Sequence, residues 1–110
     1  MDINEEIIDK VGVVKLTGRL DAASVKSFKD TVSSLVKKEI CNIVVDMKDV
    51  EFIDSSGLGS LVSCLRIVNN EGGDIRLSSL QNQIRALLEL TRMHRVFQIF
   101  DDTDTAIKGF

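Results

Sequence analysis

Cys41-Asn42-Ile43-Val44-Val45-Asp46-Met47 and, three residues further on, Val50-Glu51-Phe52-Ile53-Asp54-Ser55-Ser56-Gly57-Leu58-Gly59 govern the architecture of this chain. The first segment holds the consecutive β-branched run Ile43-Val44-Val45, which suits a central strand buried on both faces and predicts a strand over 41–47. A polar turn is expected next. After it, Leu58, Leu61, Val62, Leu65 and Val68 recur at the helical period, so a helix with one buried face opens near Ser56. Asn69-Asn70-Glu71-Gly72-Gly73 stops it with residues able to take left-handed geometry.

Toward the N-terminus, 3–9 and 11–18 read as two short strands joined at Lys10–Gly12, a hairpin whose second strand ends at Gly18. Asp21–Lys38 switches to helical periodicity through Val25, Phe28, Val32, Leu35 and Val36, with Asp21 placed to cap or lead into it. Toward the C-terminus, 74–78 is a short strand. A helix follows at about 81–92, with Ile84, Leu87, Leu88 and Thr91 on one side, then a strand at 96–100. A last short helix over Asp101–Ile107 starts from Asp101 or Asp102. The order β-β-α-β-α-β-α-β-α predicts an α/β fold, with a mixed central sheet of about five strands and about four helices.

Composition bounds the function. The 110 residues fit one domain over 1–110, and 44% hydrophobic against 28% charged residues supply both a core and a solvated surface. The net charge of −3 and pI near 5.1 argue against a nucleic-acid surface, which needs clustered Lys and Arg. No apolar run approaches the roughly 18–20 residues that span a bilayer. The acidic start, Met1 to Lys10, is unlike a signal peptide, so a cytoplasmic location without membrane attachment is expected. Cys41 and Cys64 lack CxxC spacing and read as buried, reduced thiols. Glu51, Asp54 and Asp21 are too scattered in sequence to argue for a cation, so no metal and no cofactor is expected.

The chemistry concentrates at Asp54–Gly59. An acid and two hydroxyls stand in the turn between a buried strand and a helix, and two glycines permit close approach. The first N–H groups of a helix are unpaired and partly positive, so a phosphate on Ser55 would meet a receptive field. That attraction is worth about 0.3–1 kcal/mol when exposed and at most about 2 when partly buried, too little to refold a domain. In an interface, however, the roughly −1.5 to −2 added charges must be desolvated or must clash. The competing reading is that Ser55 is merely a helix cap. Enzyme readings find little support: His94 is the only histidine, Ser55 is not in a GxSxG elbow, and neither a Walker motif nor GxGxxG is present. No catalytic residue is assigned, and His94 reads as a surface residue near a helix end.

Asp54-Ser55-Ser56-Gly57-Leu58-Gly59, placed after a strand and opening a helix, resembles the signature of STAS domains (sulfate transporter and anti-sigma factor antagonist). Leu16-Thr17-Gly18-Arg19-Leu20-Asp21, Ile43–Met47, Val50–Asp54, Gly72-Gly73 and Leu87–Phe97 resemble further parts of that family in the same order, so the match runs through nearly the whole chain. The resemblance implies the STAS fold and an anti-sigma factor antagonist, itself no enzyme. In its unphosphorylated form such an antagonist binds an anti-sigma factor with serine kinase activity and frees the sigma factor. Phosphorylation at Ser55 would switch binding off, and a phosphoserine phosphatase would reset it. By the same resemblance Asp21, Asp54, Ser55, Ser56, Gly57, Leu58 and Gly59 form the partner-binding surface. A monomer is expected when free. The alternative is a constitutive STAS-type subunit of a signalling or lipid-transport assembly, with Ser55 only a cap.

Overall fold

The computed structural model describes residues 1–110. Its elements run β1 (Asp2–Ile8), β2 (Val11–Leu20), α1 (Val25–Lys37), β3 (Asn42–Ile53), α2 (Ser55–Asn70), β4 (Asp74–Ser78), α3 (Asn82–Leu90), a 3-10 turn (Met93–Arg95), β5 (Gln98–Phe100) and α4 (Thr103–Lys108). This is the expected α/β order of five strands and four helices. The strands form one mixed sheet in the order β1-β2-β3-β4-β5. Only β1 is antiparallel to its neighbour; β2 to β5 run parallel.

The β1–β2 hairpin closes over two residues, Asp9 and Lys10, both with positive φ (52° and 67°). Two left-handed residues in a two-residue loop match the right-handed twist of the flanking strands. The turn therefore sits one residue earlier than Lys10–Gly12. Each later connection is a crossover in the same direction across the sheet, and right-handed crossovers of that kind place α1, α2 and α3 on one face. The main core lies there. Phe28, Val32 and Leu35 of α1, Leu61, Cys64 and Val68 of α2, and Ile84 and Leu88 of α3 pack onto Leu16, Val45, Met47, Ile75 and Leu77. On the opposite face only the short α4 is docked, with Ala106 against Val11 and Val44.

Several expected boundaries move. β2 does not stop at Gly18: this glycine takes φ +110° within the strand, and the chain pairs with β3 as far as Leu20. α1 starts at Val25 rather than Asp21, because Asp21–Ser24 form a separate turn. β3 runs through the expected polar turn to Ile53. Its exposed Lys48, Asp49 and Glu51 mimic a turn in sequence, but Val50 and Ile53 point into the core. α3 ends at Leu90, and Thr91 is exposed with its hydroxyl donating to the Leu87 carbonyl (2.9 Å). Val96 lies outside β5 and is exposed. Asp102 caps α4, its carboxylate accepting the Thr105 N–H at 2.7 Å.

The cysteines divide. Cys64 is fully buried, and burial pushes its thiol up to about 12, although Lys29 pulls the other way. Cys41 is only half-buried, against expectation, because it precedes β3 instead of lying within it. Its thiol is also raised, by desolvation first and then by Glu71 and Glu39.

Candidate functional site at the end of strands β2 and β3

β2 and β3 end together, with Leu20 beside Ile53. The chain leaves β2 into the Asp21–Ser24 turn and leaves β3 directly into α2. The site is therefore the carboxyl end of two adjacent parallel strands, where α/β sheets ordinarily present their binding groups. Asp54 joins the two exits. Its Oδ1 accepts the Gly57 N–H (2.8 Å), which makes it the N-cap of α2, and its Oδ2 accepts the Ala22 N–H (3.3 Å) from the neighbouring turn. One carboxylate thus satisfies an orphan amide of the helix and staples the second loop beside it.

The neighbouring turn has its own fastening. Asp21 Oδ1 accepts the Ala23 N–H (3.1 Å), and the Asp21 carbonyl accepts from the N–H groups of Ser24 and Val25. Ser24, nearly fully buried, accepts the Asp21 N–H (3.0 Å) and donates to the Arg19 carbonyl (2.8 Å). Ser24, not Asp21, is the N-cap residue of α1. Both acids are thus held against backbone amides.

With Asp54 as cap, Ser55 occupies the first helical position of α2. Ser55 and Ser56 are both exposed, Leu58 is half-buried, and Gly57 is buried. The cap is formed by the residue before Ser55, which removes the structural duty that a capping serine would have had. The helix opens one residue earlier than Ser56, its amino end directed at the Ser55–Ser56 surface.

The two glycines differ in kind. A Cβ at Gly57 would overlap the Leu20 carbonyl oxygen and crowd Ile53, so this glycine is what lets α2 seat against the end of β2. A Cβ at Gly59 would meet no atom within 4 Å. Gly59 is exposed, one turn beyond Ser55 on the same helical face. Close approach at Gly57 is internal to the fold; at Gly59 it is open to solvent.

Two residues were not singled out from sequence. The Arg19 guanidinium lies over the Phe52 ring, 3.9 Å from its centroid, and Arg19 Nε is 3.6 Å from Asp21 Oδ2. Each is two positions before an acid of the site, Arg19 before Asp21 and Phe52 before Asp54. His94, by contrast, lies in the exposed 3-10 turn that leads into β5. In a parallel sheet that is the end opposite the one where β3 delivers Ser55, so no Ser–His pair forms. No helix is long and apolar enough to cross a membrane.

Comparison with known proteins agrees with this architecture. The family model for the STAS domain matches residues 2–106. The chain belongs to the STAS domain family. It is similar to the anti-sigma F factor antagonist of Paenibacillus polymyxa, 25% identical over 96 residues that cover 86% of this chain and 82% of that one. A Thermotoga maritima protein provisionally named an anti-sigma factor antagonist has a crystal structure that superposes with a TM-score of 0.90 at 28% identity, covering 97% of this chain and 92% of that one. The Bacillus anti-sigma factor antagonist SpoIIAA shares the fold in both of its solved forms at 19% identity. The unphosphorylated form gives a TM-score of 0.75, covering 98% of this chain and 96% of that one. The phosphorylated form gives 0.76, covering 97% of each.

Proposed function

We propose that this chain is an anti-sigma factor antagonist whose binding is switched by phosphorylation of Ser55. The reading rests above all on one observation: the helix cap is Asp54, so the exposed Ser55 hydroxyl stands at the first turn of α2 without a capping role. That arrangement counts against the alternative in which Ser55 is only a cap. The names of the relatives point to the same class of activity. SpoIIAA superposes about equally well with and without phosphate, which supports a fold that tolerates the modification and a switch that acts on binding.

In this reading the chain, one STAS domain over 1–110, is a binding module and a kinase substrate, not an enzyme. Its partner is an anti-sigma factor with serine kinase activity, and a phosphoserine phosphatase restores the active form. Asp21, Asp54, Ser55, Ser56, Leu58 and Gly59 form the docking surface, with Gly57 seating it. The unphosphorylated surface accepts the partner and releases the sigma factor. A phosphate adds about −1.5 to −2 charges at its centre, where leaving a charge desolvated and unpaired costs several kcal/mol. The exchange takes place in the cytoplasm, on a free monomer, and involves neither nucleic acid nor membrane.

The test uses wild-type, Ser55→Ala and Ser55→Asp baits in extract of the source cells, with intact-mass measurement of added phosphate. A serine kinase retained by the first two and lost from the third is the expected result. The same partners on all three baits, with no phosphate on Ser55, would favour a constitutive subunit.

A further inference from the structure

We infer that Arg19 and Phe52 form a preorganised anchor on the docking face, and that Arg19 takes a carboxylate of the anti-sigma factor kinase while the Phe52 ring takes an apolar side chain beside it. This rests on the proposed antagonist reading and extends its surface from the end of α2 onto the β2–β3 ends.

Four observations carry it. First, Phe52 is among the few large apolar side chains that remain exposed, at 37%, and it lies two residues from Asp54. Second, its outward aim is a product of the strand's irregularity. The β2–β3 register slips between Gly18 and Arg19, where one step on β2 spans two on β3, from Val50 to Phe52. Such a bulge re-aims a side chain and interrupts the pairing ladder. Here Val50 and Ile53 stay in the core while Phe52 turns out beneath Arg19.

Third, the pair is already ordered. The guanidinium is stacked at 3.9 Å from the ring centroid, and its Nε is held 3.6 Å from Asp21 Oδ2. Two flexible side chains therefore lose little further freedom on binding. Fourth, Arg19 meets Asp21 through Nε at 3.6 Å, and its side chain remains 57% exposed, which leaves room for a partner group at the guanidinium. A carboxylate is the group that a guanidinium matches in a bidentate fashion. Arginine and aromatic residues are also the types that dominate interface energetics. The surroundings sharpen the choice: Asp21 pairs with Arg19, Asp54 holds the Asp21–Ser24 turn through Ala22, and exposed Glu51 precedes Phe52 in the strand. A partner carboxylate without Arg19 would meet repulsion, so the residue also sets which kinase is accepted.

The experiment measures the affinity of the purified kinase retained by the Ser55→Ala bait for wild type, Arg19→Ala, Arg19→Lys and Phe52→Ala. Circular dichroism and melting curves establish that each variant is folded. Arg19→Ala and Phe52→Ala should each weaken binding by about tenfold to a hundredfold. Arg19→Lys should recover only part of the loss, because an ammonium cannot hold a carboxylate in the same bidentate way. Raising the salt concentration should weaken wild type more than Arg19→Ala. Affinities within about twofold of wild type for both folded alanine variants would overturn the inference. So would an Arg19→Ala protein that binds normally when unphosphorylated but regains the kinase after phosphorylation, since Arg19 would then serve the phosphate. The antagonist reading fails separately, if phosphorylated and unphosphorylated wild type bind the kinase alike.

Discussion

At the scale of single residues, the two glycines of the Asp54–Gly59 turn have different work. Gly57 is required by the fold, because any side chain there would press on the backbone carbonyl of Leu20. Gly57→Ala is expected to cost on the order of 2–3 kcal/mol in chemical denaturation, as the obstacle is immovable backbone. Gly59 sits in open space inside a helix, where glycine is less favourable than alanine. Gly59→Ala should therefore stabilise the chain by about 0.5–1 kcal/mol, seen as a rise in Tm of roughly 2–4 °C. If that variant also loses kinase affinity, the glycine serves the partner at the expense of stability; full affinity would show that a partner does not need the bare backbone. The thiols make a second test. A thiol reagent should modify half-buried Cys41 first in the native protein and reach Cys64, pushed up to about 12, only on unfolding.

The spacing of an acid, two hydroxyls and two glycines marked this turn in the sequence without the contacts behind it. The cap reading fell on Ser55, whereas the structure gives the cap to Asp54; both residue types cap helices well, so local chemistry does not separate them. Arg19 and Phe52 carried no local signal, because their meeting depends on a register slip between strands over thirty positions apart in the chain.

At the scale of elements, Asp54 couples α2 to the Asp21–Ser24 turn. Asp54→Ala is expected to cost about 1–2 kcal/mol for the cap and to free the Ala22 amide as well. Faster hydrogen exchange at both Gly57 and Ala22 is the signature; an effect confined to Gly57 would mean that the 3.3 Å link contributes nothing. α4 provides a pH test. The Thr105 N–H, followed by its hydroxyl, holds the Asp102 carboxyl below its ordinary 3.8. A depressed folded value stabilises the ionised form, so the cap is intact at neutral pH and is lost as the pH falls through the folded value, below 3.8. Protection of the Thr105 amide, relative to its intrinsic exchange rate at each pH, should fall over that acid range in wild type and stay level in Asp102→Asn. Boundaries were the least legible feature at this scale. β3 broke its alternation at two register slips and so resembled a turn, while the Asp21–Ser24 turn resembled the start of a helix.

At the scale of the whole molecule, the order of strands and helices was readable because β-branched runs alternate with segments whose apolar residues recur at the helical period. The structure lays these strands in sequential order with β2 to β5 parallel, which sends His94 and Ser55 to opposite ends. The unequal cover of the two faces, three helices against one short one, follows from the right-handed crossovers. The central claim concerns this whole object: a phosphate on Ser55 leaves the fold in place and removes the partner. The most direct measurement is the affinity of the purified kinase for the chain before and after stoichiometric phosphorylation, with melting curves of both forms. A loss of about a hundredfold or more in affinity, with Tm nearly unchanged, is the expected result. Equal affinity in the two forms, or a phosphorylated chain that no longer folds, would contradict it.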